Sequence, residues 1–154
     1  MELKFRSIGT IRTPHIHNAP NQPVEHDEGD FRVVLNPEYT SGLHELESFR
    51  YIYLVYYMDR MGRVVSMRAK PPWAGGIEVG VFASRSPARP NPIGLSIVRL
   101  LRIVNNVLFT SGLDVLDGTP LLDIKPYLRD LDSKLDANNG WAARLRKTKR
   151  EAAS

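Results

Sequence analysis

The chain has 154 residues, 42% of them hydrophobic and 25% charged, which suits one globular domain burying roughly two-thirds of its unfolded surface. Cysteine is absent, so disulfide frameworks, cysteine-ligated zinc, iron–sulfur clusters and thiol nucleophiles are all excluded. The net charge of +4 is concentrated near the C-terminus: removing Arg144, Arg146, Lys147, Lys149, Arg150 and Glu151 from totals of 21 and 17 leaves 16 charges of each sign.

Met1-Glu-Leu-Lys4 has no signal-peptide profile, and no apolar run approaches the roughly 20 residues of a bilayer span, so a cytoplasmic location is expected. Leu3 to Arg12 alternates loosely and predicts a first strand. From Thr13 to Asp30 no apolar pattern survives, and a long loop carries His15, His17, Pro20, Asn21, Gln22 and the acidic run Glu25 to Asp30. His15 and His17 would share one face of a strand, but no third ligand clusters with them, so no metal site is assigned. Phe31 to Leu35 predicts a short strand ended by the turn signal Asn36-Pro37. Leu43, Leu46 and Phe49 fall at helical spacing behind Ser41, a candidate N-cap, and predict a two-turn helix.

Tyr51 to Met58 reads as a central strand, whose Tyr51, Tyr53, Tyr56 and Tyr57 fit packing better than a base-stacking surface. Asp59-Arg60 opens a turn, Val64 to Ala69 predicts another strand, and Lys70 to Gly76 is a Pro/Gly-rich connection. Val79 to Ala83 predicts a strand covered on both faces. Between it and the apolar run Ile93 to Val104 lies a loop stiffened by Pro87, Pro90 and Pro92, bearing Arg85 and Arg89 and no acid. Such a loop is either a preorganised anion clamp or a rigid turn with solvated arginines. Asn105-Asn106 predicts a hairpin returning through Val107 to Leu113, and Asp117-Gly118 a tight turn limited by Pro120. A carboxylate at that turn suits paired ribose hydroxyls, or simply forms the turn. Asp130 to Gly140 is irregular, and the Trp141 indole is expected to pin the chain end to the body.

About seven short strands with regular turn signals and one or two short helices indicate a mainly β fold, an antiparallel barrel or sandwich. No strand, Gly-rich loop and helix occur in succession, which disfavours a doubly wound nucleotide-binding fold. An Asn-Pro-Pro-aromatic amino-methylation motif is absent as well, since Ile93 follows Asn91-Pro92.

Two stretches are more specific: Gly80-Val-Phe-Ala-Ser-Arg-Ser-Pro-Ala-Arg-Pro-Asn-Pro-Ile-Gly-Leu-Ser96 and Asp114-Val-Leu-Asp-Gly-Thr-Pro-Leu-Leu-Asp-Ile-Lys-Pro-Tyr127. Together they resemble the TsaA-like, or TrmO, family of β-barrel S-adenosylmethionine-dependent tRNA methyltransferases, with weaker agreement from Ile8 to Trp141. The resemblance implies a single-sheet antiparallel β-barrel over residues 1–141 followed by a basic tail, 142–154. It implies a homodimer, the cofactor S-adenosyl-L-methionine and a tRNA partner. The implied activity is methylation of N6 of threonylcarbamoyl-adenosine at tRNA position 37. A Pro-x-Gln element, matched by Pro20-Asn21-Gln22, is implied to hold the cofactor with Asp59, Arg60, Arg85, Leu95, Ser96, Asp114, Val115, Leu116 and Asp117. The family often shows His-Gln where this chain has Asp59-Arg60, so no histidine role carries over there. Arg89, Asn91 and Lys125 are implied for the RNA or its threonyl carboxylate, joined by Arg144, Arg146 and Lys147 of the basic tail. No catalytic base is assigned, because an N6 proton beside a carbonyl is already acidified and alignment alone can contribute several kcal/mol. Two rival functions stay open, a non-catalytic cofactor- or nucleoside-binding module and a methyltransferase acting on a small molecule.

Overall fold

A computed structural model describes residues 1–20, 29–60, 62 and 64–145. Asn21, Gln22, Arg146 and Lys147 lie outside the described residues. Six antiparallel strands close into a barrel in the order β1 (Gly9–Arg12), β2 (Arg32–Leu35), β7 (Val107–Thr110), β6 (Ile93–Val104), β3 (Tyr51–Tyr57), β8 (Thr119–Pro126) and back to β1. Closure gives each strand a neighbour on both sides over at least part of its length. A separate two-stranded ribbon, β4 (Arg68–Ala69) and β5 (Val79–Gly80), stands beside it.

Alternation decides what lies inside. In β3 the residues Ile52, Leu54 and Tyr56 point inward, and in β6 Gly94, Ser96, Val98 and Leu100 do. Ile11, Val33, Leu35, Leu108 and Leu121 complete the lining, and Leu113 and Val115, from the segment that links β7 to β8, pack into the same core. Gly9 allows β1 to approach β2, because a Cβ there would lie 2.5 Å from the Val34 carbonyl oxygen. The β6–β7 hairpin turns at Asn105, which adopts φ 53°. Two register shifts bend the wall, one between β6 and β7 at Leu100/Arg102 and one between β3 and β8 at Val55/Tyr56.

Several elements depart from the sequence expectation, the first strand among them, which begins at Gly9 and not at Leu3. The two-turn helix is instead a pair of 3-10 helices, Pro37–Leu43 and Leu46–Ser48, with Ser41 inside the first and capping nothing. Glu45 at φ 68° breaks between them, although Leu43 and Leu46 still pack on the core. Val79 to Ala83 is paired only over β5; a 3-10 turn, Val81–Ala83, follows because the Ser84 hydroxyl donates to the Val81 carbonyl and pulls the chain round. Consequently Val81 is buried while Phe82 is 76% exposed, so neither residue lines the barrel as a covered strand would. Val64 to Ala69 shrinks to Arg68–Ala69, and β8 forms where only a turn and a polar motif were read. Trp141 does pin the chain end: its indole N–H donates to the Ala83 carbonyl at 2.8 Å, and its ring stacks on Trp73 at 5.2 Å.

Candidate active site

The turn that enters β8 is fastened to the end of β1. Gly118 adopts φ 83°, a conformation that favours glycine. Its N–H donates to the Ile11 carbonyl at 2.9 Å, and the Asp117 N–H to the His15 carbonyl at 2.7 Å. In return Asp117 Oδ1 accepts the Thr13 N–H at 3.1 Å, and Oδ2 lies 3.4 Å from Arg12 Nη1. The Thr13 hydroxyl donates to the Val115 carbonyl at 2.6 Å. Arg60 Nη2 donates to the Asp117 carbonyl, which brings the Asp59-Arg60 turn onto the same spot. Asp117 therefore clasps two segments about a hundred residues apart, a task besides any it has toward a ligand. Arg12, Thr13, Asp30, Arg32 and Asp117 line an open depression here.

A second group of polar residues sits deeper. The Tyr56 hydroxyl and Ser96 Oγ meet at 2.9 Å inside the barrel. Burial raises the Tyr56 phenol above its ordinary value; the Ser96 bond works against this, Asp114 adds to it and Arg85 opposes it. Burial likewise raises the Asp114 carboxyl, against the pull of its own backbone N–H, Arg85 and His15. The shared electrostatic partners make Tyr56, Ser96, Asp114 and Arg85 one neighbourhood. It contains a half-buried acid, an exposed guanidinium and a neutral hydroxyl pair, a set able to bind a zwitterion or a cation.

Between the two groups runs an interrupted barrel wall. At its ends the Leu100 N–H donates to the Arg50 carbonyl and the Met58 N–H to the Pro92 carbonyl, so even-numbered residues of β6 turn their backbone groups toward β3. The odd-numbered ones face the other way, where Ser111 meets Arg99. β7 ends opposite Leu100, which leaves Leu95 and Ile97 presenting backbone groups toward the irregular segment that carries Asp114. The Leu95 side chain itself points outward, 57% exposed, away from Ser96. Any contact from Leu95 to a ligand beside Ser96 runs through its backbone.

The remaining sequence candidates scatter. Arg89 Nη1 donates to the carbonyls of Ser84 and Ser86 at 3.0 and 3.2 Å, so this arginine braces its own loop. The backbone N–H groups of Ser86 and Ala88 donate to the hydroxyl oxygens of Ser84 and Ser86 and add to that stiffness. Asn91 is exposed at the loop end, and Lys125 pairs with Asp123 at 3.3 Å on the outer wall. Pro20 is half-buried at the edge of the described residues, and Arg144 is exposed. The carbonyls of Val115 and Leu116 accept bonds within the turn, from Thr13 and Thr119. Sequence reasoning missed Arg12 and Thr13, and it set Tyr56 down as packing. Only the closure of β1 against β8 brings the first two to Asp117, and no local signal announces that pairing.

Residues 10–133 match the family model of the tRNA-methyltransferase O N-terminal domain. The chain belongs to that family. Relatives in this family include an S-adenosyl-L-methionine-binding protein of Archaeoglobus fulgidus, 39% identical across 83% of this chain and 91% of its own length. A longer probable S-adenosyl-L-methionine-binding protein of the same organism is 40% identical over 92% of this chain, which spans 38% of that protein. The tRNA (adenine(37)-N6)-methyltransferase of Escherichia coli is 35% identical over 91% of this chain and 64% of its own length. A crystal structure of TrmO superposes with a TM-score of 0.76 at 34% identity, covering 91% of this chain and 64% of the other. This TrmO-type barrel thus spans under two-thirds of the length of several relatives.

Proposed function

We propose that this chain transfers a methyl group from S-adenosylmethionine to N6 of threonylcarbamoyl-adenosine at position 37 of tRNA. The observation that carries the reading is the family match over residues 10–133; the buried Tyr56–Ser96 hydroxyl pair, on which Asp114 and Arg85 both act electrostatically, supports it. Relatives named tRNA (adenine(37)-N6)-methyltransferase support adenine N6 of tRNA as the acceptor. The threonylcarbamoyl group is our own extension, since its carbonyl acidifies the N6 proton. The residues fit the cofactor chemically: a half-buried carboxylate suits a sulfonium or ammonium charge, and a guanidinium a carboxylate. Bound S-adenosylmethionine supplies an activated methyl on a neutral leaving group.

Within this reading Asp114 faces positive charge, Arg85 binds carboxylate, the odd edge of β6 offers backbone donors and acceptors, and Asp117 holds the floor. Pro20, Asn21 and Gln22 complete the cofactor side. Asn91 and Lys125 serve the RNA, together with Arg144 and the further cations of the basic tail, while Arg89 keeps the loop rigid. Asp59 acts only through its neighbour Arg60. A tRNA substrate favours the cytoplasm, and no helix among the described residues is long and apolar enough to cross a membrane. A second copy of the chain covers the apolar outer face of β6, where Ile93, Leu95, Ile97 and Leu101 stand exposed.

Incubation of the purified chain with methyl-labelled S-adenosylmethionine and bulk tRNA tests the activity. Label recovered in the N6-methylated nucleoside is expected, and its absence despite cofactor binding would favour the second reading, a binding module. That alternative has its own support in the short Archaeoglobus relative named only for cofactor binding.

A further inference from the structure

The bond between the Tyr56 hydroxyl and Ser96 Oγ is built from three separate features. Tyr56 stands opposite Gly94 in the β3–β6 register, and a Cβ on Gly94 would lie 2.0 Å from Tyr56 Cε2. The ring thus lies against β6 at a place where any side chain would collide with it. On the other flank Val55 faces Asp123 while Tyr56 faces Leu121, so β8 carries an extra residue, Leu122, beside the tyrosine. Bulges of this kind re-aim side chains next to sites. Finally, both partners are interior: Tyr56 is 6% exposed and Ser96 8%.

Stability gives no reason for the pair. The inward neighbours are Ile52, Leu54, Val98 and Leu100, and a phenylalanine with an alanine would fill much the same space without taking two hydroxyls out of water. Either hydroxyl can be the donor at this distance; with the phenol, the more acidic of the two, donating to Ser96 Oγ, the serine hydrogen is left over. That hydrogen needs an acceptor: of the two charged groups that act on the Tyr56 phenol, Asp114 can accept it and Arg85 cannot.

We propose that Tyr56 is a positioning residue: locked by Gly94 and the β8 bulge, it turns the Ser96 hydroxyl so that serine donates one directed hydrogen bond to the bound S-adenosylmethionine. The inference rests on the cofactor reading of the site and adds to it the residue that sets the serine. Without the phenol oxygen, the serine rotor spreads over several orientations and the bond weakens.

The test is a double-mutant cycle on the full chain, with S-adenosylmethionine affinity read by calorimetry for wild type, Tyr56→Phe, Ser96→Ala and the pair. Each single change is expected to weaken affinity about fivefold, the scale of one neutral hydrogen bond, and the double change no more than either. In steady-state assays the KM for S-adenosylmethionine should rise while that for tRNA holds, a split that a purely structural role would not produce. Wild-type affinity in Tyr56→Phe, or losses that multiply in the double variant, would overturn the proposal. If Tyr56→Phe does not fold, Ser96→Ala decides, and unchanged affinity there overturns it. A wild-type chain that binds the cofactor yet transfers nothing sinks the enzyme reading while the affinity cycle still judges this one; no binding at all overturns both.

Discussion

Asp114 is held half-buried at a cost to the fold. Its carboxyl is raised from 3.8 chiefly by burial, only partly offset by its own N–H, Arg85 and His15. A raised carboxyl binds its proton more tightly folded than unfolded. Its contribution to stability is therefore full below pH 3.8 and is lost as pH rises through the higher folded value. Once ionised, Asp114 places a partly desolvated charge in the folded state. Asp114→Asn should accordingly raise the melting temperature at pH 7 by about 1–3 °C and flatten the weakly acidic limb of the stability profile. The same variant should lose most of its S-adenosylmethionine affinity. Calorimetry of both properties checks this, and a variant that is neither more stable nor weaker in binding would remove Asp114 from the site. Arg89 teaches the reverse lesson: a guanidinium in a motif need not face a ligand when two loop carbonyls hold it.

Among the elements, the Asp117 clasp joins the end of β1 to the start of β8. Two roles meet in one carboxylate, and two substitutions part them. Asp117→Asn keeps an oxygen for the Thr13 N–H, whereas Asp117→Ala leaves that donor without its partner. Urea unfolding should show Asp117→Ala less stable by about 1–2 kcal/mol, with Asp117→Asn within about 0.5 kcal/mol of wild type. If Asn matches wild type in cofactor affinity as well, neither role needs the charge, and an oxygen that accepts the Thr13 N–H is enough. Much of this architecture was legible beforehand. β3 and β6 announced themselves by apolar runs, the Asn105 hairpin by its turn residues, and the Asp117-Gly118 turn by its dipeptide. What stayed hidden depended on pairing distant in sequence. β8 carries Pro120 and Pro126 and reads as a motif until closure supplies β1 and β3 as partners. Helical spacing at Leu43 and Leu46 was real as packing, but Pro37, Gly42 and the left-handed Glu45 shortened it to 3-10 turns. Tyr56 could not be told from its neighbouring tyrosines without Gly94 opposite it.

For the whole molecule, two expectations remain. The outer face of β6 exposes Ile97 at 50% and Leu101 at 59% on an ordered wall, more apolar surface than an isolated strand face usually leaves to water. Ile97→Asp should convert a dimer to a monomer in analytical ultracentrifugation; an unchanged mass would place any interface elsewhere. The other expectation rests on charge alone: the C-terminal cations hold the whole net charge, since the rest of the chain is neutral by formal count. Truncation after Ala143 should leave cofactor affinity intact, weaken tRNA binding and flatten its dependence on salt, by roughly 0.9 in log–log slope for each phosphate that the tail neutralises. Parallel salt titrations of the full and shortened chains would mean that the barrel alone holds the RNA.

The stacked indoles of Trp73 and Trp141 have one more consequence. They are the only tryptophans in the chain, and their planes are 13° apart. Emission excited at the red edge of the absorption band therefore comes from that latch alone, and exciton coupling between the rings should imprint a paired band on the circular dichroism. Tyrosine signals, by contrast, report on the barrel through Tyr51, Tyr53 and Tyr56. Should the terminal segment let go of Ala83 before the strands separate, the indole transition will precede the tyrosine one on heating. Coincident curves would mean that latch and barrel melt as one cooperative unit.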